Sequence, residues 1–331
     1  MLALSLSPFS ASLGCSRTAI NDADLNPSDV AADETGPHCG SGQCLELGKI
    51  VLLSGFGNAI PGNDQWTFDG LTWTPLTSPG PADNSRSALG TLGNELVLFG
   101  GGNDFERLDD TWLFDANGWS VLPPTSPRPA GRLYGEFASI GSGVLLFGGN
   151  PNSPHPFDDT WLFDGWSWRQ MRQTTPTPSG RTFQGMATLN GKVILFGGVD
   201  GQNHALGDTW AFDGDTWAQL PGPGPSPRSR MGMATLGDEV VLFGGYTDVL
   251  TTPSDTWKFD GTHWTQLSAI GPAGRLSAAM ASFSDRIILF GGQSNNIVRA
   301  DTWAFDGERW TQLHPARSPA AGYGRAVAAL P

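Results

Sequence analysis

Hydrophobic and polar positions recur in a fixed order along most of this chain. "EVVLFGG" at 239–245 is an apolar run closed by two glycines, the pattern of a short strand buried on both faces. Before it, "MATL" at 233–236 ends another strand, and Gly237-Asp238 forms a tight turn between the two. After it comes a loop of eight or nine residues, then "DTWKF" at 255–259 and "HWTQL" at 263–267. These read as a third and a fourth strand, joined at Asp260-Gly261, a short-hairpin signal. A Pro-rich connection then leads on. The pattern predicts a unit of four antiparallel strands.

The unit is written six times. Its first tryptophan falls at Trp66, Trp112, Trp161, Trp210, Trp257 and Trp303, at spacings of 46 to 49 residues. A second follows seven residues later every time, at Trp73, Trp119, Trp168, Trp217, Trp264 and Trp310, leaving only Trp166 outside the pattern. Four antiparallel strands at this period predict a propeller blade. The first unit starts at its second strand, "KIVLL" (49–53), and the chain ends on a lone first strand, "GYGRAVAAL" (322–330). The two halves complete one blade. The expected fold is an all-β, six-bladed β-propeller of 24 strands, closed by pairing of the C-terminal strand into the first blade.

The glycine pair after an apolar strand, the aromatic seven residues before a tryptophan and the arginine opening the next strand resemble the kelch repeat. The resemblance spans roughly 49–330 and departs in the first unit, where "SGFG" (54–57) replaces the glycine pair and "DQW" replaces "DTW". It implies a domain over 49–331 that carries whatever function the protein has.

Composition narrows the classes. The formal net charge is -13, so no basic face exists for nucleic acid. No run of 18 apolar residues occurs, so no ordinary spanning helix is expected. The three cysteines, Cys15, Cys39 and Cys44, all precede the repeats, which excludes a disulfide scaffold or thiolate metal site in the propeller. Residues 1–15 read as a signal segment that resembles the lipobox of bacterial lipoproteins, with Cys15 as the lipidated residue. It departs in having no basic residues and in placing Ser12 where a branched aliphatic belongs, so plain secretion and no export stay open. Residues 16–48 read as a disordered acidic linker, in which Cys39 and Cys44 could close a small disulfide loop. A metal site with His38 is the alternative there. The expected localisation is the cell envelope or the exterior, as a monomer touching membrane only through a lipid anchor, with no cofactor and no metal.

The repeated residues read as scaffold. Tryptophans should fill the wedges between blades, and the glycine pairs (Gly148-Gly149, Gly197-Gly198, Gly244-Gly245, Gly291-Gly292) should make room opposite them. Asp110, Asp159, Asp208, Asp255 and Asp301 open third strands on the face where Arg132, Arg181, Arg228 and Arg275 open first strands, so Asp–Arg or Asp–backbone bonds are expected. The second aspartates (Asp69, Asp115, Asp164, Asp213, Asp260, Asp306) belong to hairpin turns.

Function is expected where the copies differ. Two residues after the repeat arginine stand Arg86, Tyr134, Phe183, Arg230, Ser277 and Gly324. Two further on stand Ala88, Glu136, Gly185, Gly232, Ala279 and Ala326. Strand alternation would point both sets at the channel. Arg86, Tyr134, Glu136, Phe183 and Arg230 are the candidate ligand-binding residues, for a small anion, a sugar or a peptide acid. The preferred function is a binding module that presents its variable-loop face to a protein or a carbohydrate. The enzyme alternative is a sugar mutarotase or epimerase resembling the periplasmic kelch type, with Glu136 moving the proton and Arg86 or Arg230 holding a carboxylate. A copper-radical oxidase resembling galactose oxidase is excluded: the propeller has no cysteine, and none of His155, His204, His263 and His314 lies on a first strand.

Overall fold

The computed structural model describes residues 48–53, 55–56, 64–81, 85–102, 105–172 and 174–330. Cys15, His38, Cys39 and Cys44 lie outside the described residues, as do the signal-like segment and all of the linker except Gly48. Six four-stranded antiparallel sheets form the blades. In the fifth, Gly232–Leu236, Glu239–Phe243, Thr256–Phe259 and Trp264–Leu267 follow one another outward. The first blade is assembled from both ends of the chain: Val327–Leu330 is its inner strand, beside Lys49–Leu52, Trp66–Phe68 and Trp73–Pro75. The closing register pairs Lys49 with Leu330 and Leu52 with Val327. Each first strand packs against the first strands of the blades on either side, all the way round the ring.

Burial follows the repeat. Second strands are apolar on both faces because both lie between neighbouring blades, and Val240, Val241, Leu242 and Phe243 are buried. One interblade core packs Leu145, Phe147, Met186, Val193, Leu195, Phe212 and Trp217 together. Each such side chain contributes about 1.5–3 kcal/mol.

Three polar devices hold the blades in register. The second tryptophan of each blade donates its indole N–H to the preceding blade. Trp217 reaches Thr160 Oγ1 at 2.9 Å and Trp264 reaches Thr209 Oγ1 at 3.0 Å, while Trp73 reaches Thr302 Oγ1 at 3.0 Å across the closure. In "DQW" the threonine is replaced by Gln65, whose Oε1 accepts from Trp119 at 2.8 Å. The departure in the first unit therefore keeps the bond with a different acceptor. A second set runs between first strands: Thr91 donates to the carbonyl of Ala329, Ser139 to Thr91, Thr188 to Ser139, Thr235 to Thr188 and Ser282 to Thr235, at 2.5–2.6 Å.

The third device is the arginine–aspartate pair, which among the described residues lies within five of the six blades. Arg181 is fully buried and grips Asp208 with two bonds of 2.7 and 2.9 Å, while Asp208 also accepts from Trp210 Nε1 at 2.6 Å. Arg132–Asp159, Arg228–Asp255 and Arg275–Asp301 repeat it. In the first blade the repeat position holds Gly322, and Arg325, three residues later, reaches Asp64 at 2.9 Å.

Two local expectations need correction. The glycine pairs do not face tryptophans. Gly149 donates its N–H to the carbonyl of Arg181 in the next blade at 2.9 Å, and a Cβ on Gly148 would stand 2.6 Å from that oxygen. Both glycines have positive φ (71° and 105°), so the pair is required by backbone approach and conformation. The glycines that make room for tryptophans lie in the connections between blades: a Cβ on Gly224 would meet Trp264, and one on Gly271 would meet Trp310. The hairpin between third and fourth strands is also longer than the Asp-Gly signal suggests, with Asp260 to His263 all in the turn. The Asp260 carboxylate accepts from the N–H groups of Thr262 and His263, a local bond that stabilises the longer loop.

Candidate functional site at the channel mouth

The six residues two past the repeat arginine position share a conformation that alternation does not predict. Arg86, Tyr134, Phe183, Arg230, Ser277 and Gly324 all have φ between 52° and 66°. The inner strands begin beyond them, with Glu136–Ile140 in the third blade and Gly185–Leu189 in the fourth. The backbone path explains the twist. In the third to sixth blades the residue before is bridged to the residue after a glycine pair, as Thr182 is to Val199 and Ser229 to Tyr246. The next N–H then turns to the neighbouring blade: Arg230 donates to the carbonyl of Phe183, Ser277 to Arg230 and Gly324 to Ser277, at 2.7–2.9 Å, and Tyr134 donates to Arg86 at 2.8 Å. A left-handed residue other than glycine costs about 1–2 kcal/mol. Five of the six blades carry that cost in order to project a side chain at the mouth.

These side chains line one cavity of about 410 Å³ on the channel axis. They form a continuous stack. Tyr323 packs on Phe56 with centroids 5.7 Å apart, and the Arg86 guanidinium lies between the rings of Phe56 (4.7 Å) and Tyr134 (5.6 Å). Tyr134 packs on Phe183 at 4.1 Å, and Arg230 covers Phe183 at 4.1 Å. Pairs of aromatic rings and single guanidiniums thus follow one another around the first five blades. The sixth contributes only Ser277, next to Gly324 of the first, which leaves a notch in the rim.

Glu136 lies one layer deeper. Its neighbours at that level are Ala88, Gly185, Gly232, Ala279 and Ala326, so the carboxyl is the largest group there and stands opposite the notch. It is only partly exposed to the channel, and burial pushes its pKa up to about 8. No hydrogen bond or ion pair joins it to Arg86 or Arg230 among the described residues, so nothing offsets the burial. Near neutral pH the mouth therefore presents two guanidiniums above a protonated carboxyl.

The structure thus places Arg86, Tyr134, Glu136, Phe183 and Arg230 around one cavity, with Glu136 facing the channel. Sequence reasoning missed Phe56 and Tyr323. The signal for Phe56 was the broken glycine pair in "SGFG": Phe56 takes the place after the pair and is bridged to Tyr323, as Tyr246 is to Ser229.

Six four-stranded blades, buried arginine–aspartate pairs and a ring of tryptophan bonds define a kelch-type β-propeller. Residues 91–271, more than half of the chain, match a family model described as the KLHDC2/KLHL20/DRC7 Kelch-repeats domain. The chain belongs to the kelch-repeat family, and its architecture suggests a protein-binding module.

Proposed function

We propose that this protein is an exported binding module, anchored through lipid on Cys15, that presents its variable-loop face to a protein partner and receives an acidic group of that partner at the channel mouth. The stacked rim carries this reading. Arg86 and Arg230 stand over the aromatic rings of Phe56 and Phe183 at the mouth, where a guanidinium suits recognition of a carboxylate. The whole molecule is acidic, so a cationic mouth is a local exception that selects an anionic group. Around it, the loops between second and third strands expose Phe105, Val249, Leu250 and Ile297, the apolar component a partner-binding face needs. In the linker, a Cys39–Cys44 disulfide suits an oxidising compartment.

The raised carboxyl favours a second reading, proton transfer at the anomeric centre of an acidic sugar by Glu136, with Arg86 or Arg230 holding the sugar's carboxylate.

Selection of a displayed random peptide library on the intact protein separates the two. The binding reading expects enrichment of Asp- or Glu-containing peptides that bind at least tenfold more weakly to Arg230→Ala. Enrichment of uncharged or basic peptides contradicts it. Faster interconversion of sugar-acid anomers, followed by magnetisation-transfer NMR and lost in Glu136→Gln, would establish the enzyme reading instead. For the anchor, Cys15→Ser should release the protein from the membrane fraction.

A further inference from the structure

A second cavity, of about 570 Å³, opens on the loop face above the fourth, fifth and sixth blades and meets the channel mouth at Phe183 and Arg230. Its size is ordinary for a small-molecule site, where volumes run from about 300 to 1,000 Å³. Its chemistry differs from that of the mouth. Four side-chain amides line it, from Asn203, Gln293, Asn295 and Asn296, and none is hydrogen-bonded to another described residue. The hydroxyl of Tyr246 is likewise unbonded among the described residues. Its charged lining groups are Asp248 and Arg230, one of each sign.

The site is built by loops that brace one another. Asn295 and Asn296 form the two-residue turn of an extra hairpin, Gln293–Ser294 with Ile297–Val298, and both have positive φ (49° and 63°). Asp248 in the fifth blade accepts the N–H of Ala205 in the fourth at 2.9 Å. Thr247 closes its own loop, accepting the N–H of Leu250 on its carbonyl at 2.9 Å. The backbone that carries these amides is therefore braced before any ligand arrives, which lowers the ordering cost of the loops on binding.

We propose that this cavity is a binding site for a neutral saccharide of one or two pyranose rings. A side-chain amide offers donors and an acceptor together, and so does each sugar hydroxyl. Several amides and a phenol converging on one uncharged volume match a ligand that is polyhydroxylated and neutral. The lining charges cancel, so neither a polyanion nor a basic peptide finds net attraction there. The ring of Tyr246 and the side chain of Leu250 supply apolar surface for the C–H face of a pyranose. The site goes beyond the proposed acid-binding mouth and would give the module a partner that is itself glycosylated.

The test is an array of neutral and uronate-bearing oligosaccharides probed with the intact protein, followed by calorimetry with the strongest neutral hit. The expected result is binding of a neutral oligosaccharide, weakened at least tenfold by Gln293→Ala and at least threefold by Tyr246→Phe, with thermal midpoints unchanged. Trp166→Ala, at an exposed hairpin turn on the opposite face, should keep full affinity. No neutral hit, binding indifferent to both cavity substitutions, or loss of binding in Trp166→Ala would overturn the proposal. So would binding confined to uronate sugars, because it would place recognition at the arginine rim. The acidic-peptide selection reads the mouth separately, so either site can fail without the other.

Discussion

At the scale of single residues, repetition and variation divide the labour. The buried arginines, their aspartates and the two tryptophans per blade recur because each solves the same packing problem. Arg181 is buried with its charge fully paired, so Arg181→Ala leaves Asp208 uncompensated. We expect a loss of about 3–5 kcal/mol in denaturant unfolding. Glu136 is the opposite case, a lone acid in a layer of alanine and glycine. Burial raises its pKa to about 8, so its favourable contribution is complete below the ordinary glutamate range and is lost as pH rises toward 8. Burial alone would also raise Asp208, Asp255 and Asp301, but their arginine and tryptophan partners outweigh it and hold them low. Those pairs stabilise above the ordinary aspartate range and are lost as pH falls through their lowered values. Stability should therefore be greatest near about pH 5. Glu136→Gln should flatten the alkaline limb and add up to about 4 kcal/mol at pH 8, read from urea midpoints across pH. The Asp–Arg pairing was legible in the sequence, because both residues open strands on one face. The arginine substitute Arg325 was not, because it enters three residues late and only the closed ring brings it to Asp64.

At the scale of elements, the strands and their order were legible, since apolar runs, turn glycines and a fixed period all agree. The mouth residues line the channel, but strand alternation is not what points them there. Alternation assumes an extended strand, whereas these residues sit before the strands in a left-handed conformation imposed by bonds to the neighbouring blade. No single-chain periodicity reports a constraint of that kind. The geometry predicts that Ser277→Gly stabilises the protein by about 1 kcal/mol, because glycine relieves φ of 52° at little loss of packing. A fall in the thermal midpoint would contradict this. The tryptophan ring makes a second prediction. Trp217→Phe loses the bond to Thr160 and leaves its buried hydroxyl without that donor, about 1–2 kcal/mol, while Trp217→Ala also empties the wedge, about 3–5 kcal/mol. Equal losses in the two variants would show that the indole bond contributes nothing.

At the scale of the whole molecule, the ring is closed by four residue pairs between the first and last strands, plus the Trp73 bond to Thr302. Closure was legible because the two ends of the chain are complementary halves of one unit. The rim was less so: five of its stacked members lie in five different blades or connections, and their contact exists only once the ring has closed. The amide-lined cavity was not legible at all, since it depends on three loops leaning together. The acidic surface should repel acidic partners everywhere except at the mouth. The most direct measurement is the affinity of a selected acidic peptide for the wild-type protein and for Arg86→Ala/Arg230→Ala, from pH 6 to pH 9. The account predicts at least a hundredfold loss in the double variant with the fold intact, and wild-type binding that weakens as Glu136 ionises near pH 8. Equal affinity of the two proteins at every pH would contradict it.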